Sequence, residues 1–280
     1  MILITGATGQ LGCHVAAQLK KDGKGFLSPT LQELDITNKQ NVNNYFKAHK
    51  PSCVIHCAAY TNVDKAEDEK EKCFDINEGG SKNLALACKE INGEMIYIST
   101  DYVFSGQGTR PYETNDPTGP LSTYGKSKLA GEEAVKKYLN NYYILRTSWV
   151  FGQNGNNFVK TILRLASERD SLNIVSDQIG SPTYTVDLAK LLSQMALSKK
   201  YGIYHATNEG FCSWADFAQE IINISKINCK INSISTEEYP TKAIRPKNSR
   251  LSKESLEENG FSRLPQWQAA LRTCLMSFLC

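Results

Sequence analysis

Short apolar runs and helically spaced stretches alternate through the first half of the chain. "MILIT" (1–5) is a strand-sized run, and "QLGCHVAAQLKKDG" behind it sets Leu11, Val15 and Leu19 on one side of a helix. "CVIHCAA" (53–59) and "MIYIS" (95–99) are near-continuous apolar runs, the pattern of strands covered on both faces. Between them, "NEGGSKNLALACKEING" has Leu84, Cys88 and Ile91 at helical intervals and Gly93 as its stop. "YGKSKLAGEEAVKKYL" (124–139) predicts a further helix and "YYILRTS" (142–148) the next strand. Strands that alternate with helices predict an α/β fold with a doubly wound, parallel, Rossmann-type sheet.

The second half is less regular. "NNFVKTILRLASERD" and "VDLAKLLSQMALSKK" read as amphipathic helices, "GIYHATN" as a strand, and "SWADFAQEIINIS" as a helix with Ser213 at its N-cap. "EEYPTKAIRPKNSRL" is polar and Pro-rich, a structured loop over a surface. This reading divides the chain into a dinucleotide-type core, residues 1–150, and a smaller C-terminal substrate-binding lobe, residues 151–280, with the helix and strand of 186–206 as candidates to return to the core. One connection stands out. From Ser105 to Ser122 the chain is rich in Gly and Pro and carries no helix or strand signal. A loop of that length in a compact domain predicts a functional lid.

Composition narrows the class. A hydrophobic content of 41% with 22% charged residues is that of a globular domain. The net charge is +3, from 32 basic and 29 acidic residues, with no basic stripe, which argues against nucleic acid as a partner. The apolar runs are too short to span a membrane. "MILIT" has neither the basic region nor the cleavage site of a secretory leader, so a cytoplasmic protein is expected. The nine cysteines (13, 53, 57, 73, 88, 212, 229, 274 and 280) are scattered, with no Cys-x-x-Cys, which fits a reducing compartment better than a disulfide scaffold. His56, inside an apolar strand, reads as a buried, hydrogen-bonded histidine rather than a metal ligand.

Three features carry candidate chemistry. Gly6, Gly9 and Gly12 of "ITGATGQLG" lie between the first strand and the first helix. Glycines there allow a tight turn and close approach of backbone N–H groups to a pyrophosphate at the helix N-terminus. After the second strand, where an acid would hold the ribose hydroxyls of NAD, the chain has Leu27, Ser28 and Pro29. NADPH is therefore favoured, with NADH as the alternative donor. Tyr124 and Lys128, four apart, share a helix face. A phenol of ordinary pKa about 10 is a weak acid–base catalyst near neutrality, and an ammonium beside it is expected to bring that pKa down. Thr100, at the rim of the preceding strand, is placed to donate a hydrogen bond to a substrate carbonyl, with Asp101 next to it.

The glycine triplet, Thr100, Tyr124 and Lys128, in that order, resemble the extended short-chain dehydrogenase/reductases. More narrowly, "GATGQLG", "LDIT", "AAYTNVDKAE", "STDYVFSG", "YGKSKLAGE", "RTSWVFG", "GNNFVKT", "DQIGSPT" and "RPKNSRL", spread from residue 6 to residue 251, resemble the dTDP-4-dehydrorhamnose reductase family. The resemblance implies reduction by NADPH of the C4 keto group of dTDP-4-dehydro-6-deoxy-L-mannose to dTDP-L-rhamnose, the last step of dTDP-rhamnose biosynthesis for polysaccharides. It implies that Thr100 and Tyr124 contact the keto group beside Asp101, that Tyr124 supplies the proton, and that Lys128 tunes Tyr124 and binds the nucleotide. Gln10, Leu11 and Gly12 would meet the pyrophosphate, Asp35 and Ile36 flank adenine, and Ala59, Tyr60 and Thr61 line the nicotinamide side. Trp149 would pack on the dTDP-linked 4-keto-6-deoxy sugar. Arg245 and Asn248 would face its nucleotide half, with an internal ion pair as the alternative for Arg245.

Some relatives of this kind depend on magnesium, but no acidic cluster here demands a metal. A monomer and a homodimer are both compatible with the sequence. Two other readings stay open. Sugar 4,6-dehydratases carry Asp-Glu after the catalytic Thr where this chain has Asp101-Tyr102, and epimerases share the Tyr–Lys pair but suit an acidic second-strand end. The non-catalytic regulatory β-subunit of methionine adenosyltransferase also resembles these reductases but lacks the Trp of "RTSWVFG", present here as Trp149.

Overall fold

The computed structural model describes residues 1–278; Cys280, at the end of the expected C-terminal lobe, lies outside them. The predicted strands form one six-stranded sheet, all pairs parallel. β1 (Ile2–Thr5), β2 (Phe26–Leu27), β3 (Cys53–His56), β4 (Glu94–Thr100) and β5 (Tyr142–Thr147) are joined by an edge strand, Gly202–His205. The spatial order is Gly202–His205, β5, β4, β3, β1, β2. Ile4 pairs with Ile55, and Thr100 with Thr147. Because the chain winds outward in both directions from β1, a crevice opens beyond the carboxyl ends of β1 and β3, where such sheets bind ligands.

Alternation along the strands explains the continuous apolar runs. Ile2, Ile4, Ile55, Ile96 and Leu145 point into one core, and Leu3, Val54, Met95, Tyr97 and Ile144 into the other. The helices of the first half are α1 (Gly12–Lys21), α2 (Lys39–His49), α3 (Val63–Ala66), α4 (Lys70–Phe74), α5 (Ser81–Glu90) and α6 (Thr123–Tyr138). α4 runs into α5 through a π-helical turn, Asp75–Gly80, so the helix that the sequence starts at Asn77 is continuous from Lys70.

Helix Thr185–Met195 packs on α1 and adds Leu188, Leu192 and Met195 to the core behind β1, which returns this stretch to the sheet. The other C-terminal elements build a core of their own. Helices Phe158–Glu168, Trp214–Ser225 and Trp267–Met276 meet around Phe151, Ile162, Phe217, Ile221 and Leu271. Ser213 caps the second of these helices in a capping box with Asp216.

The long loop does not reach over the main cleft as a lid would. None of residues 105–122 lines the main cleft. The loop is fastened to the C-terminal strap instead: the Tyr112 N–H donates to the Arg250 carbonyl and the Ser252 N–H to the Tyr112 carbonyl, both at 2.9 Å. Asn248, buried, donates to the Arg110 carbonyl (2.9 Å), and Arg146 donates from below to the Thr114 carbonyl (3.1 Å). The Tyr112 ring stacks on Phe104, with 4.2 Å between centroids. No helix among the described residues is long and apolar enough to cross a membrane.

Candidate active site

A cleft of about 1580 Å³ runs across the carboxyl edge of the sheet. Single small-molecule pockets are typically about 300–1,000 Å³, so this cleft has room for two ligands end to end. Its floor at one end is the glycine turn. Gly6 has φ +69°, and a Cβ on Gly12 would lie 2.2 Å from the Gly6 carbonyl oxygen, so α1 closes onto the turn only because residue 12 is glycine. The first turn of α1 holds no acidic residue and no side-chain cap, which leaves its N-terminal amides to an anion. Gly6, Gly9, Gln10 and Leu11 line the cleft; Gly12 shapes the turn from behind and does not. Gln10 also ties this end to the C-terminal side, donating to the Val150 carbonyl (3.0 Å) and accepting from Asn157 (2.8 Å).

Past β2 the rim is Pro29, Thr30, Leu31 and Gln32. Glu33, the first acid after β2 in the chain, is held by the Thr30 N–H and hydroxyl at 2.7 and 3.0 Å, away from the cleft lining. Asp35 and Ile36 line the cleft, as do Ala59 and Thr61 opposite. Tyr60 does not: its phenol donates to Glu69 (3.0 Å), and its backbone is held on both sides by Asn77.

Thr100, Asp101, Tyr124, Lys128, Trp149 and Arg245 line the same cleft. Thr100 and Asp101 stand at the end of β4, and Tyr124 and Lys128 on α6 face them. The Thr100 hydroxyl donates to Asp101 Oδ1 (3.0 Å), while Oδ2 has no hydrogen-bond partner. Burial pushes the Asp101 carboxyl up to about 6.

The Tyr–Lys pair departs from expectation. Burial raises the Tyr124 phenol above its ordinary value, against the opposing hydrogen bond with Thr100. Lys128 does not offset this, because its ammonium donates to the Ile98 carbonyl (2.7 Å) and lies over the Tyr97 ring. Burial brings Lys128 itself down to about 7, and the carboxylate of Glu132, one turn further along α6, works in the opposite direction. Burial penalises the charged form of each, which raises the phenol and lowers the ammonium. The pair is thus a protonated phenol beside a readily deprotonated lysine.

Beneath them lies a buried ion pair that the sequence reading does not single out. Glu132 accepts two bonds from Arg146 (2.9 and 2.7 Å) and one from Ser99 (2.5 Å), joining α6, β5 and β4. Its only sequence signal is the four-residue step from Lys128.

On the lobe side, Trp149 stacks face to face on Trp214, with ring centroids 3.6 Å apart and planes 13° apart, and both line the cleft. Trp149 has φ +48°, a left-handed conformation unusual for a large side chain. Trp214 is a cleft residue missed in the sequence, where it reads only as the start of a helix. Arg245 lines the cleft and makes the internal ion pair expected as its alternative role, donating to Asp64 (2.5 Å) and to the Tyr102 hydroxyl (3.2 Å). Asn248 lies outside the cleft lining, spent on the 105–122 loop. His56 is buried, bonded to Thr5 (2.7 Å) and Ser81 (3.1 Å), and burial lowers it to about 3. No group of three or more His, Cys, Asp or Glu suited to hold a metal occurs among the described residues.

A parallel sheet with a glycine turn at its first crossover, and a Thr–Tyr–Lys constellation at its fourth strand, defines a Rossmann-type protein built like the short-chain dehydrogenase/reductases. Comparison with known proteins is specific within that class. Residues 1–280 match the family described as RmlD substrate binding domain. The chain is 44% identical over 274 residues to the spore coat polysaccharide biosynthesis protein SpsK of Bacillus subtilis, covering 98% of this chain and 96% of that one. It is 43% identical to the dTDP-4-dehydrorhamnose reductase of Aggregatibacter actinomycetemcomitans, covering 97% of each. Among crystal structures, a dTDP-4-dehydrorhamnose reductase of Clostridium acetobutylicum superposes with a TM-score of 0.97 at 44% identity over 100% of this chain and 99% of the other. That of Bacillus anthracis, solved in complex with NADP, gives 0.96 at 40% identity over 99% and 98%. The chain belongs to the RmlD family of dTDP-4-dehydrorhamnose reductases.

Proposed function

We propose that the protein reduces the C4 ketone of dTDP-4-dehydrorhamnose to an alcohol with NADPH, giving dTDP-L-rhamnose. The observation that supports this reading is that Thr100, Tyr124 and Lys128 line the same cleft as the glycine turn. The residues fit a dinucleotide: the turn and the uncapped start of α1 suit a pyrophosphate, and Asp35 and Ile36 suit an adenosine end. When bound, the nicotinamide supplies a hydride to the sugar C4. The chain's own residues do the rest.

Tyr124, its phenol kept protonated by burial, donates a proton to the ketone oxygen as the alkoxide develops. Thr100, its hydroxyl turned from Asp101 Oδ1 to the substrate, offers a second hydrogen bond to the same oxygen and so orients the carbonyl. Lys128 stabilises the phenolate left on Tyr124 and re-protonates it, a task suited to an amine lowered to about 7. Trp149, backed by Trp214, forms the wall against which the deoxysugar packs, and Arg245 is the cation for the diphosphate. We further assign the dinucleotide to residues 1–150, with residues 151–280 closing the substrate side through Trp214 and Arg245, where the core around Phe151 and Phe217 backs the Trp149–Trp214 wall.

The test is NADPH consumption by the purified protein with and without dTDP-4-dehydrorhamnose, run beside Tyr124→Phe. Consumption that needs the sugar nucleotide, and falls roughly 10²–10⁴-fold in the variant, supports the reading. Nucleotide binding with no sugar-dependent oxidation would favour a non-catalytic subunit instead.

A further inference from the structure

The start of α6 is held by a residue outside the cleft. Glu67 ends the short turn α3, directly downstream of the cleft residues Thr61 and Val63, and does not itself line the cleft. Its carboxylate takes both donors of Thr123: Oε1 accepts the Thr123 N–H at 2.8 Å and Oε2 accepts the Thr123 hydroxyl at 2.7 Å. Thr123 is the first residue of α6, is buried, and immediately precedes Tyr124.

An anion at this position is favoured by the helix dipole, and charge-assisted hydrogen bonds of this length are the stronger kind. Two bonds to one residue fix both its backbone and its side chain, so the residue after it has little rotational freedom. Elsewhere in this first turn the Ser122 hydroxyl accepts the Gly125 N–H at 3.1 Å, and the Ser127 hydroxyl donates to the Tyr124 carbonyl at 2.8 Å while accepting from Asn77 at 2.9 Å. Glu67 holds the turn at its first residue from another part of the chain, as Asn77 and Cys73 do further on at Ser127.

We infer that Glu67 is a positioning residue for catalysis: it fixes the first turn of α6 against α3 so that the Tyr124 hydroxyl stands at the height of Thr100. This rests on the proposed role of Tyr124 as proton donor. A small displacement of a reacting group costs up to about 10²-fold in rate, so removing the clamp is expected to act on turnover more than on binding.

The experiment is a double-mutant cycle. Glu67→Ala and Glu67→Gln are made in the wild-type protein and in Tyr124→Phe, and kcat, KM for the keto sugar, Kd for NADPH and Tm are measured for each. Glu67→Ala is expected to lower kcat roughly 10–10²-fold with the NADPH Kd within about 2-fold. In the Tyr124→Phe background it is expected to lower kcat no further, because the group it positions is gone. Glu67→Gln keeps the size but exchanges one acceptor for a donor and is expected to lower kcat a few-fold with Tm near wild type, so it carries the test should Glu67→Ala fail to fold, and wild-type kcat in it would then overturn the inference. Wild-type kcat in Glu67→Ala, or losses that multiply in the double variant, overturn the inference while leaving Tyr124 in place. Wild-type kcat in Tyr124→Phe overturns the functional reading, and this inference with it.

Discussion

Tyr124 and Lys128 share a face of α6, yet each answers chiefly to its surroundings rather than to the other. Burial holds the phenol protonated and brings the lysine down to about 7. The sequence places the pair on one helix face, but it carries no information on desolvation, which depends on walls contributed by β3, β4 and the lobe. One consequence is a pH dependence with a definite sign. As pH rises through about 7, Lys128 loses its proton and can no longer support the phenolate, so kcat is expected to fall on the alkaline side while Tyr124 itself stays protonated. A pH–rate profile checks this, and a rate that stays level to pH 9 contradicts it. Trp149 and Trp214 make a second residue-scale claim. Trp149→Ala is expected to raise the sugar KM about 10–10²-fold with little change in NADPH Kd, and Trp214→Ala to move it in the same direction by removing the stacked support. Equal losses of both ligands would mark the pair as core packing. Trp149 was legible from its place at a strand's end. Trp214 was not, since its meaning comes from a stack between residues far apart in sequence.

At the scale of elements, the glycine turn was the most legible feature, because the backbone itself demands the residue type. Replacing Gly12 sets a Cβ 2.2 Å from the Gly6 carbonyl, a contact that α1 relieves only by moving off the turn. Gly12→Ala is therefore expected to weaken NADPH binding at least 10-fold and to destabilise the fold by about 1–3 kcal/mol, read by calorimetric titration and denaturant melts. The 105–122 segment is the opposite case. Its length and composition point to a lid, but its backbone groups pair with Arg250 and Ser252, partners whose register no local pattern reveals. Hydrogen exchange separates the two readings. Amides Tyr112 and Ser252 are expected to be protected with and without NADPH; protection that arises only on adding the nucleotide would restore the lid.

On the scale of the whole molecule, the α/β sheet was legible because buried parallel strands leave continuous apolar runs. The C-terminal core was less so, since its short strands, such as Ser171–Val175 with Lys230–Ile234, pair across long stretches of chain. Buried titratable groups tie the two halves to pH. His56 and His205 are both brought down to about 3 by burial, against an ordinary value near 6.5. Between those values the unfolded chain binds more protons than the native one, so stability rises with pH from about 3 to 6.5 and is lost on acidification. Each histidine contributes a slope of up to about 1.4 kcal/mol per pH unit there. His56→Gln is expected to flatten the dependence of unfolding free energy on pH across that window, and an unchanged slope would mean that the imidazole is solvated.

The proposed reaction needs a ketone held between Thr100 and Tyr124 beside a nicotinamide. The most direct measurement supplies NADPH deuterated at the transferable C4 position together with dTDP-4-dehydrorhamnose and locates the label by NMR. One deuterium at sugar C4 for each NADPH consumed is the predicted result. A product without label at that carbon, or NADPH left unoxidised while it is bound, would contradict it.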